Sequence, residues 1–400
     1  MIKTIAIALV CLGATFGIHA AMYKWVDASG VTRYSETPPP GKKALEIQIK
    51  SQPALSDAPA RAPADLKQQE RTAASGEESV RAAVSSRCSA LFDRKDFAAL
   101  SQQIDQYQYK DVRTPSGAWK LEVCHKSLYQ LSKDGSGQNA AFWSDYQVAV
   151  DGYIKAHQSD RNLPIIYAAL LMRHGWAYRG GGYASDVPKD SWPPFFEYIA
   201  RARKVLDDNK SISLTNPMWY LYRLTVLSVG RDDTLQFGSV FAEATGRFPS
   251  YTPIYFSASE ALAPKWGGSY EALEKLAAQG AILARGTEGE SMYARIYYHV
   301  AGGCCGSDQN IFRQPWFDKR RLARAIDDLV TRYPDQWNYN IYAQLSCAAL
   351  DREGTAKLMS QIVPGSISAA WGSDEEKPAS HYARCRTWAS YAPGVQPPNR

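Results

Sequence analysis

Two short stretches near the N-terminus alternate aromatic or branched side chains with polar ones, at residues 23–26 and 31–34. This alternation predicts β-strands, and the Asp-Ala-Ser-Gly stretch between them supplies the residue types of a tight turn. A Pro-Pro-Pro-Gly stretch ends the pattern, and residues 45–49 alternate once more. We therefore expect a small β-hairpin module over residues 22–50.

From about Val80 onward the apolar spacing changes to three and four, which indicates amphipathic helices. Four stretches open on proline or asparagine and run into an aromatic helix, at 163–170, 216–221, 252–257 and 338–343. Other helical stretches end in an aromatic residue followed by proline, at 248–249 and 333–334. Recurrence of such a unit predicts stacked helical hairpins. The expected fold class is mainly α: a tetratricopeptide-like α-helical hairpin array (α-solenoid) over 80–395, preceded by the β-hairpin module.

The remaining segments of the chain read as an export signal and a linker. Residues 1–20 combine one lysine, a short apolar run and a small residue at Ala20, which is the pattern of a cleaved secretory signal peptide. Residues 51–79 are rich in Ala, Pro, Ser and Gln and predict a flexible Pro/Ala/Ser linker. We expect a periplasmic or secreted protein that keeps no stable membrane span after signal cleavage.

Two resemblances to known families rest on specific motifs. The phrase Tyr-Lys-Trp-Val-Asp-x-x-Gly-Val-x-x-Tyr-Ser-x-Thr-Pro-Pro at 23–39 resembles the N-terminal domain of unknown function 4124 of exported Gram-negative proteins. The stretches at 92–100, 117–121, 176–182, 265–272 and 333–338 look like the domain of unknown function 4034. That second resemblance, over most of 84–370, implies a tetratricopeptide-like helical fold and no particular activity.

Composition and charge exclude several classes of function. Apolar residues make up 45% of the chain and charged residues 22%, and the formal net charge is only +6, with no block of Lys or Arg. A nucleic-acid surface needs clustered positive charge, so nucleic acid is not an expected partner. The Gly-rich stretch after Arg179 lacks the Gly-Lys-Ser/Thr of a phosphate loop, and neither His-Glu-x-x-His nor Gly-x-Ser-x-Gly occurs. No cofactor is expected.

Six cysteines follow the signal peptide, and an even number in an oxidising compartment indicates disulfides. They are Cys88, Cys124, Cys304, Cys305, Cys347 and Cys385. We favour a bond between Cys88 and Cys124, which lie in neighbouring helical segments. The adjacent pair Cys304 and Cys305 would then reach Cys347 and Cys385. Metal binding is the weaker alternative because no Cys-x-x-Cys occurs and His299 is the only histidine nearby.

Aromatic residues are unusually frequent, with 24 Tyr, 12 Phe and 11 Trp. Tyr167, Trp219, Tyr255 and Tyr342 fall at corresponding points of successive hairpins, where packing between repeats accounts for them. The residues left over are the candidates for binding a ligand or partner: Trp176, Tyr178, Arg179, Trp192 and Trp266. Arg179 could clamp a carboxylate between aromatic rings. The structural alternative is an ordinary salt bridge inside the array.

Two hypotheses for function remain after these exclusions. The first is an exported cell-envelope binding or scaffolding protein whose concave helical surface grips a peptide or protein partner. Its rival is a hydrolase or lyase acting on a cell-wall glycan or peptide. Such an enzyme would need acidic residues, such as Glu271 or Glu290, brought together in the folded chain. No catalytic residue is marked by a motif, so the sequence favours the binding protein.

Overall fold

The chain folds into many short helices with a few strands at its N-terminus, as seen in a computed structural model. The structure describes residues 21–26, 32–35, 45–48, 76–110, 112–128, 139–182, 184–229, 236–264, 268–302, 309–363, 366–371 and 378–391. The predicted signal peptide, most of the linker, Trp266, Cys304 and Cys305 lie outside the described residues.

Three strands lie in the region of the predicted β module. They are β1 (Ala21–Val26), β2 (Thr32–Ser35) and β3 (Leu45–Gln48), and β1 is the central strand of a sheet with the order β2-β1-β3. Both pairings are antiparallel, with Tyr23 opposite Ser35 in one and opposite Glu46 in the other.

Helices dominate the rest of the described chain, as the apolar spacing predicts. Several begin at an Asp, Asn or Ser side chain that accepts a hydrogen bond from a backbone N–H of the first turn, among them Asp96, Ser269 and Asp335. In chain order the helices are α1 (Glu77–Asp93), α2 (Phe97–Tyr109), α3 (Lys120–Ser127), α4 (Ala140–Ala156), α5 (Leu163–Arg179), α6 (Trp192–Asp208), α7 (Lys210–Ser213), α8 (Pro217–Val229), α9 (Phe237–Arg247), α10 (Thr252–Leu262), α11 (Tyr270–Leu283), α12 (Ser291–Gly302), α13 (Lys319–Arg332), α14 (Gln336–Ala348), α15 (Arg352–Met359) and α16 (Pro378–Ser390).

Successive helices pack in pairs, and neighbouring pairs pack on one another. The pairs are α5 with α6, α8 with α9, α10 with α11, α12 with α13 and α14 with α15. Helices α8, α10, α12 and α14 join one pair to the next. Trp219, Tyr255 and Tyr342 are fully buried at these contacts, while Tyr167 is only half-buried. The prediction of a mainly helical fold is confirmed.

The chain between α1 and α3 is not stacked like the later pairs. Helix α2 and the segment after it run along the N-terminal ends of α5, α8, α10, α12 and α14. Asn162, just before α5, donates to Asp105 of α2 (2.7 Å) and accepts from Asn216 just before α8 (2.9 Å). Further along, the ring of Trp119 lies 4.9 Å from that of Tyr251. The N-terminal helices therefore cover one edge of the later ones.

Two disulfide bonds join described helices. Cys88 of α1 is bonded to Cys124 of α3, with their Cα atoms 5.5 Å apart, so this prediction is confirmed. Cys347 of α14 is bonded to Cys385 of α16, with a Cα separation of 6.0 Å. The expectation that Cys304 and Cys305 reach Cys347 and Cys385 is therefore wrong. The physical reason is proximity, because α16 packs directly on α14.

Helix α1 begins at Glu77, three residues before the predicted start of the helical region. Its carboxylate accepts hydrogen bonds from Thr114 Oγ1 (2.9 Å) and from the Ser116 N–H (2.8 Å). These contacts depend on residues almost forty positions away, which is why composition alone places the boundary late. In the part of the chain that the structure describes, no helix has the length and apolar character to cross a membrane.

Candidate functional site

The strongest candidate site is a buried arginine between two tryptophans, where α5 ends and α6 begins. Arg179 is the last residue of α5, Trp176 lies one turn earlier, and Trp192 is the first residue of α6. The guanidinium carbon lies 4.9 Å from the ring centroid of Trp176 and 5.2 Å from that of Trp192. The structure thus brings together three of the five residues singled out from the sequence.

Local sequence explains why the two helices meet here. Gly180 ends α5 at a φ of 73°, a conformation that glycine adopts easily. Two prolines follow Trp192, and Pro is favoured in the first turn of a helix. Phe195 anchors the turn, since its ring lies edge-on to both Trp176 (5.1 Å) and Trp192 (6.0 Å). The two indoles are consequently held in place and half-buried.

The hydrogen bonds of Arg179 occupy only one side of its guanidinium group. Nη1 donates to the carbonyls of Gly180 (2.9 Å) and Gly182 (3.1 Å). No described residue accepts a hydrogen bond from Nε or Nη2, and no described carboxylate pairs with the group. Yet Arg179 is only 8% exposed. Burial lowers the pKa of Arg179, and no neighbouring acid opposes that shift.

Such an arrangement suits one kind of ligand. The Nε and Nη2 edge of a guanidinium is the edge that holds a carboxylate through two parallel hydrogen bonds. Flanking indole faces exclude water and contact the apolar part of a ligand. The salt bridge considered as the structural alternative is absent among the described residues.

Tyr178 does not belong to this cluster. It lies at i+4 from His174, whose ring is 5.3 Å from that of Tyr178 and stacks on Trp143 at 4.5 Å. Tyr198 of α6 completes this second aromatic group, 3.9 Å from His174. The structure thus places the Tyr178 ring with His174 and Tyr198 and not with Trp176, Arg179 and Trp192, because adjacent helical residues point about 100° apart. Trp266, the fifth candidate, lies outside the described residues.

A second cluster, which sequence reasoning only half identified, gathers acidic and tyrosine side chains on α11, α12 and α13. Glu274 accepts hydrogen bonds at Oε2 from the hydroxyls of Tyr293 (2.8 Å) and Tyr297. Arg321 links Glu274 to Glu290, with Nη1 3.9 Å from Glu274 Oε1 and Nε 3.3 Å from Glu290 Oε2.

Burial raises the pKa of Glu274, although the two tyrosine hydroxyls and Arg321 oppose the shift. Glu271, the other acid proposed from the sequence, is exposed in the first turn of α11. The acid that shares Arg321 with Glu290 is Glu274. The sequence signal that could have identified Glu274 was its position one helical turn after Glu271.

Within the described ranges, no group of three His, Cys, Asp or Glu side chains is arranged to hold a metal ion. The described histidines have other neighbours: His299, for example, stacks on Phe256 at 4.3 Å and lies 3.4 Å from Glu260.

Comparison with known proteins finds a family match for the N-terminal region alone. A family model described as a domain of unknown function (DUF4124) matches residues 9–64. The resemblance of the helical region to domain of unknown function 4034 is not supported by a family match. No curated protein matches the chain, and no solved structure matches it. The N-terminal region is thus similar to the DUF4124 family, and the helical region carries the candidate sites.

Proposed function

We propose that the protein is an exported binding or scaffolding protein of the cell envelope, whose tetratricopeptide-like helical array binds a peptide or protein partner through the Trp176, Arg179 and Trp192 site. Strand β3 of the β module packs against α9 of this array. The single observation that carries the proposal is a buried guanidinium with one free edge, to which no carboxylate of the described residues is bonded. A carboxylate from a partner would supply the missing charge.

The energetics favour a ligand at this position. A buried charge without a partner is unfavourable, and natural proteins usually pair it. The C-terminal end of α5 compensates part of the charge through the two glycine carbonyls. A carboxylate bound to Nε and Nη2 would complete the compensation in a site that the indoles shield from water. Either the C-terminal carboxylate of a peptide or an acidic side chain offers this chemistry.

The test is binding of short peptides to the mature protein. Peptides with a free C-terminal carboxylate and a large apolar last residue are compared with their amidated forms, and acidic side chains are varied in parallel. We expect Arg179→Gln to weaken binding by roughly 10- to 100-fold, since a charged hydrogen bond contributes about 1.5–3 kcal/mol. Arg179→Lys should restore only part of it, because lysine lacks the planar fork.

Arg313 provides the matched control. It is an exposed arginine in a short helical turn and forms no ion pair with a described residue. Arg313→Gln should therefore leave peptide binding unchanged. Crosslinking in the envelope, followed by identification of partners that Arg179→Gln loses, extends the test to the natural partner. Equal binding by the wild type and Arg179→Gln would overturn the proposal.

The arrangement of Glu274 and Glu290 on Arg321 favours one second candidate, an enzyme acting on an envelope polymer. Glycoside hydrolysis uses two carboxyl groups, one of which acts as an acid with a raised pKa, and burial raises the pKa of Glu274. Incubation with cell-wall fragments, followed by mass spectrometry, would reveal new products. Glu274→Gln and Glu290→Gln should each abolish them, while Glu271→Gln should not. Absence of any product with the wild type would remove this candidate.

A further inference from the structure

An irregular segment, Val112–Trp119, is held by helices far away in the chain. It closes on itself as a tight turn, with an isolated β-bridge between Arg113 and Trp119. The N–H of Thr114 donates to the carbonyl of Ala118 (2.9 Å), and the N–H of Gly117 to that of Thr114 (2.9 Å). The 112–119 segment thus has the compact shape of a peptide turn and forms no part of a helix.

Glu77 of α1 accepts a hydrogen bond from the Ser116 N–H at 2.8 Å, and two side chains from later helices hold the carbonyl of the same residue. Arg295 Nη2 and Asn338 Nδ2 each donate to the carbonyl of Ser116, both at 3.1 Å. These residues belong to α12 and α14, 179 and 222 positions further along the chain. Contacts to a backbone carbonyl do not depend on the side chain of the residue that carries it. They hold a turn by its shape, as peptide-binding proteins do.

The side chains at either end of the turn are recognised as well. Arg113 pairs with Glu288, just before α12, and its guanidinium carbon lies 3.4 Å from the ring centroid of Trp119. Tyr333 donates to the same Glu288 carboxylate at 3.2 Å. The array therefore distinguishes a cation and an aromatic ring at the two ends of the turn.

Glycine is required in the middle of the turn. Gly117 has a φ of 80°, and a Cβ added there would lie 2.8 Å from the ring of Tyr333 and would overlap Arg295. Every other side chain is therefore excluded by conformation and by space. The surface therefore accommodates a turn that has a cation, a glycine and an aromatic residue in this order along the chain.

Some polar atoms at this contact make no hydrogen bond. Within the described chain they are Trp119 Nε1 of the 112–119 segment itself, Asn338 Oδ1, and Arg295 Nε, which lies 3.8 Å from Glu288. Buried polar atoms in a settled core are nearly always paired, and each unpaired one is unfavourable by about 1–3 kcal/mol. Asn338 Oδ1 is thus an acceptor of this surface that the 112–119 segment leaves unused.

We infer that the N-terminal ends of α10, α12 and α14 form a binding surface for a glycine-containing turn with an arginine before it and an aromatic residue after it. In the isolated chain the 112–119 segment occupies this surface as an internal ligand. A partner protein that presents such a turn binds by displacing it. This surface is separate from the Arg179 site, and the inference does not depend on the proposed function.

The experiment supplies the turn from outside. A fluorescent peptide with the sequence of residues 112–119 is titrated against the full chain and against Arg113→Ala/Trp119→Ala, which weakens the internal turn and leaves Glu288, Arg295, Asn338 and Tyr251 in place. We expect the peptide to bind the double variant at least about tenfold more tightly than the wild type. The same peptide with alanine in place of glycine should not bind.

Gly117→Ala is the second variant, since it blocks the internal turn by shape alone. Gly180→Ala is its matched control: Gly180 also has a positive φ (73°), but a Cβ there would meet nothing within 4 Å. Only Gly117→Ala should gain peptide binding. Folded variants that fail to bind the peptide would overturn the inference.

Hydrogen exchange of the wild type decides the matter even where no variant folds. A displaceable turn must open without unfolding the array, so the amides of Thr114 and Gly117 should exchange faster than those inside α12 and α14. Exchange of both sets at one common rate, through global unfolding only, would contradict the inference.

Discussion

Arg113 and Arg179 both lie against tryptophan rings, but only Arg113 is paired with a described carboxylate. Each places its guanidinium group against tryptophan, Arg113 at 3.4 Å from Trp119 and Arg179 at 4.9 Å and 5.2 Å from Trp176 and Trp192. Arg113 is paired with Glu288, while no described carboxylate reaches Arg179. Burial lowers the pKa of both arginines, and only for Arg113 does an acid oppose the shift.

The difference separates a charge used for folding from a charge available for binding. The Glu288 carboxylate forms ion pairs with Arg113 and Arg295 and accepts a hydrogen bond from Tyr333, so all three side chains depend on it. Around Arg179, two glycine carbonyls satisfy one side of the guanidinium and the other side has no described partner. We therefore expect loss of Glu288 to lower the stability of the isolated chain, and loss of Arg179 to change binding with little effect on stability.

The largest expected effect is at Glu288. Its side chain is 1% exposed, and Glu288→Gln removes the negative charge shared by two mostly buried arginines. Breaking a buried pair in this way is unfavourable by about 3–5 kcal/mol. Urea unfolding measured by circular dichroism should show a loss of that size. Asp327→Asn, which breaks the exposed pair with Lys357, is the control and should change stability by less than about 1 kcal/mol.

A smaller effect should follow acidification, through a buried histidine outside both regions. His125 of α3 is fully buried, its Nδ1 lies 3.4 Å from the Tyr222 hydroxyl, and its Nε2 has no partner within the described chain. Burial lowers the pKa of His125 to about 3, below its ordinary value of 6.5. Between about pH 3 and pH 6.5 the unfolded chain therefore binds a proton at His125, and the folded chain does not.

Stability should consequently fall as pH drops below about 6.5, by up to roughly 1.4 kcal/mol per pH unit from this one group. Urea unfolding between pH 7 and pH 5 measures the slope, above the range in which most carboxylates titrate. His125→Gln should flatten it. An unchanged slope in this variant would show that His125 is protonated in the folded chain or does not govern its acid response.

Sequence predicts best where partners are close along the chain. Trp176 and Arg179 are one helical turn apart, and a short loop returns Trp192 to them, so spacing alone brings all three together. The same rule explains the place of Tyr178, which shares a helix face with His174. The sequence also offered a signal for the disulfide between Cys347 and Cys385. Its sequence separation of 38 residues is close to the 36 of the correctly predicted bond.

Contacts between residues that are distant along the chain cannot be predicted from local spacing. Glu288 follows Arg113 by 175 positions and Asn338 follows Ser116 by 222, and no local pattern connects the residues of either pair. A Thr-Pro-Ser-Gly stretch predicts a turn, but only the folded chain shows what surrounds it. That no carboxylate among the described residues pairs with Arg179 likewise becomes visible only in the folded chain.

The smallest expected change in stability is at Arg179, and it is the one that most directly tests the contrast. Arg179→Gln removes two hydrogen bonds to glycine carbonyls and also removes an unpaired buried charge, so the two effects oppose each other. We expect the free energy of unfolding to change by less than about 1 kcal/mol. Arg223 is the matched comparison, because it is equally buried but bonded to Asp207 (3.2 Å) and Gln236 (2.8 Å). Arg223→Gln should be destabilising by about 1.5–3 kcal/mol in the same urea titration. If Arg179→Gln were as destabilising as Arg223→Gln, then Arg179 would be an ordinary structural arginine and its free edge would carry no binding role.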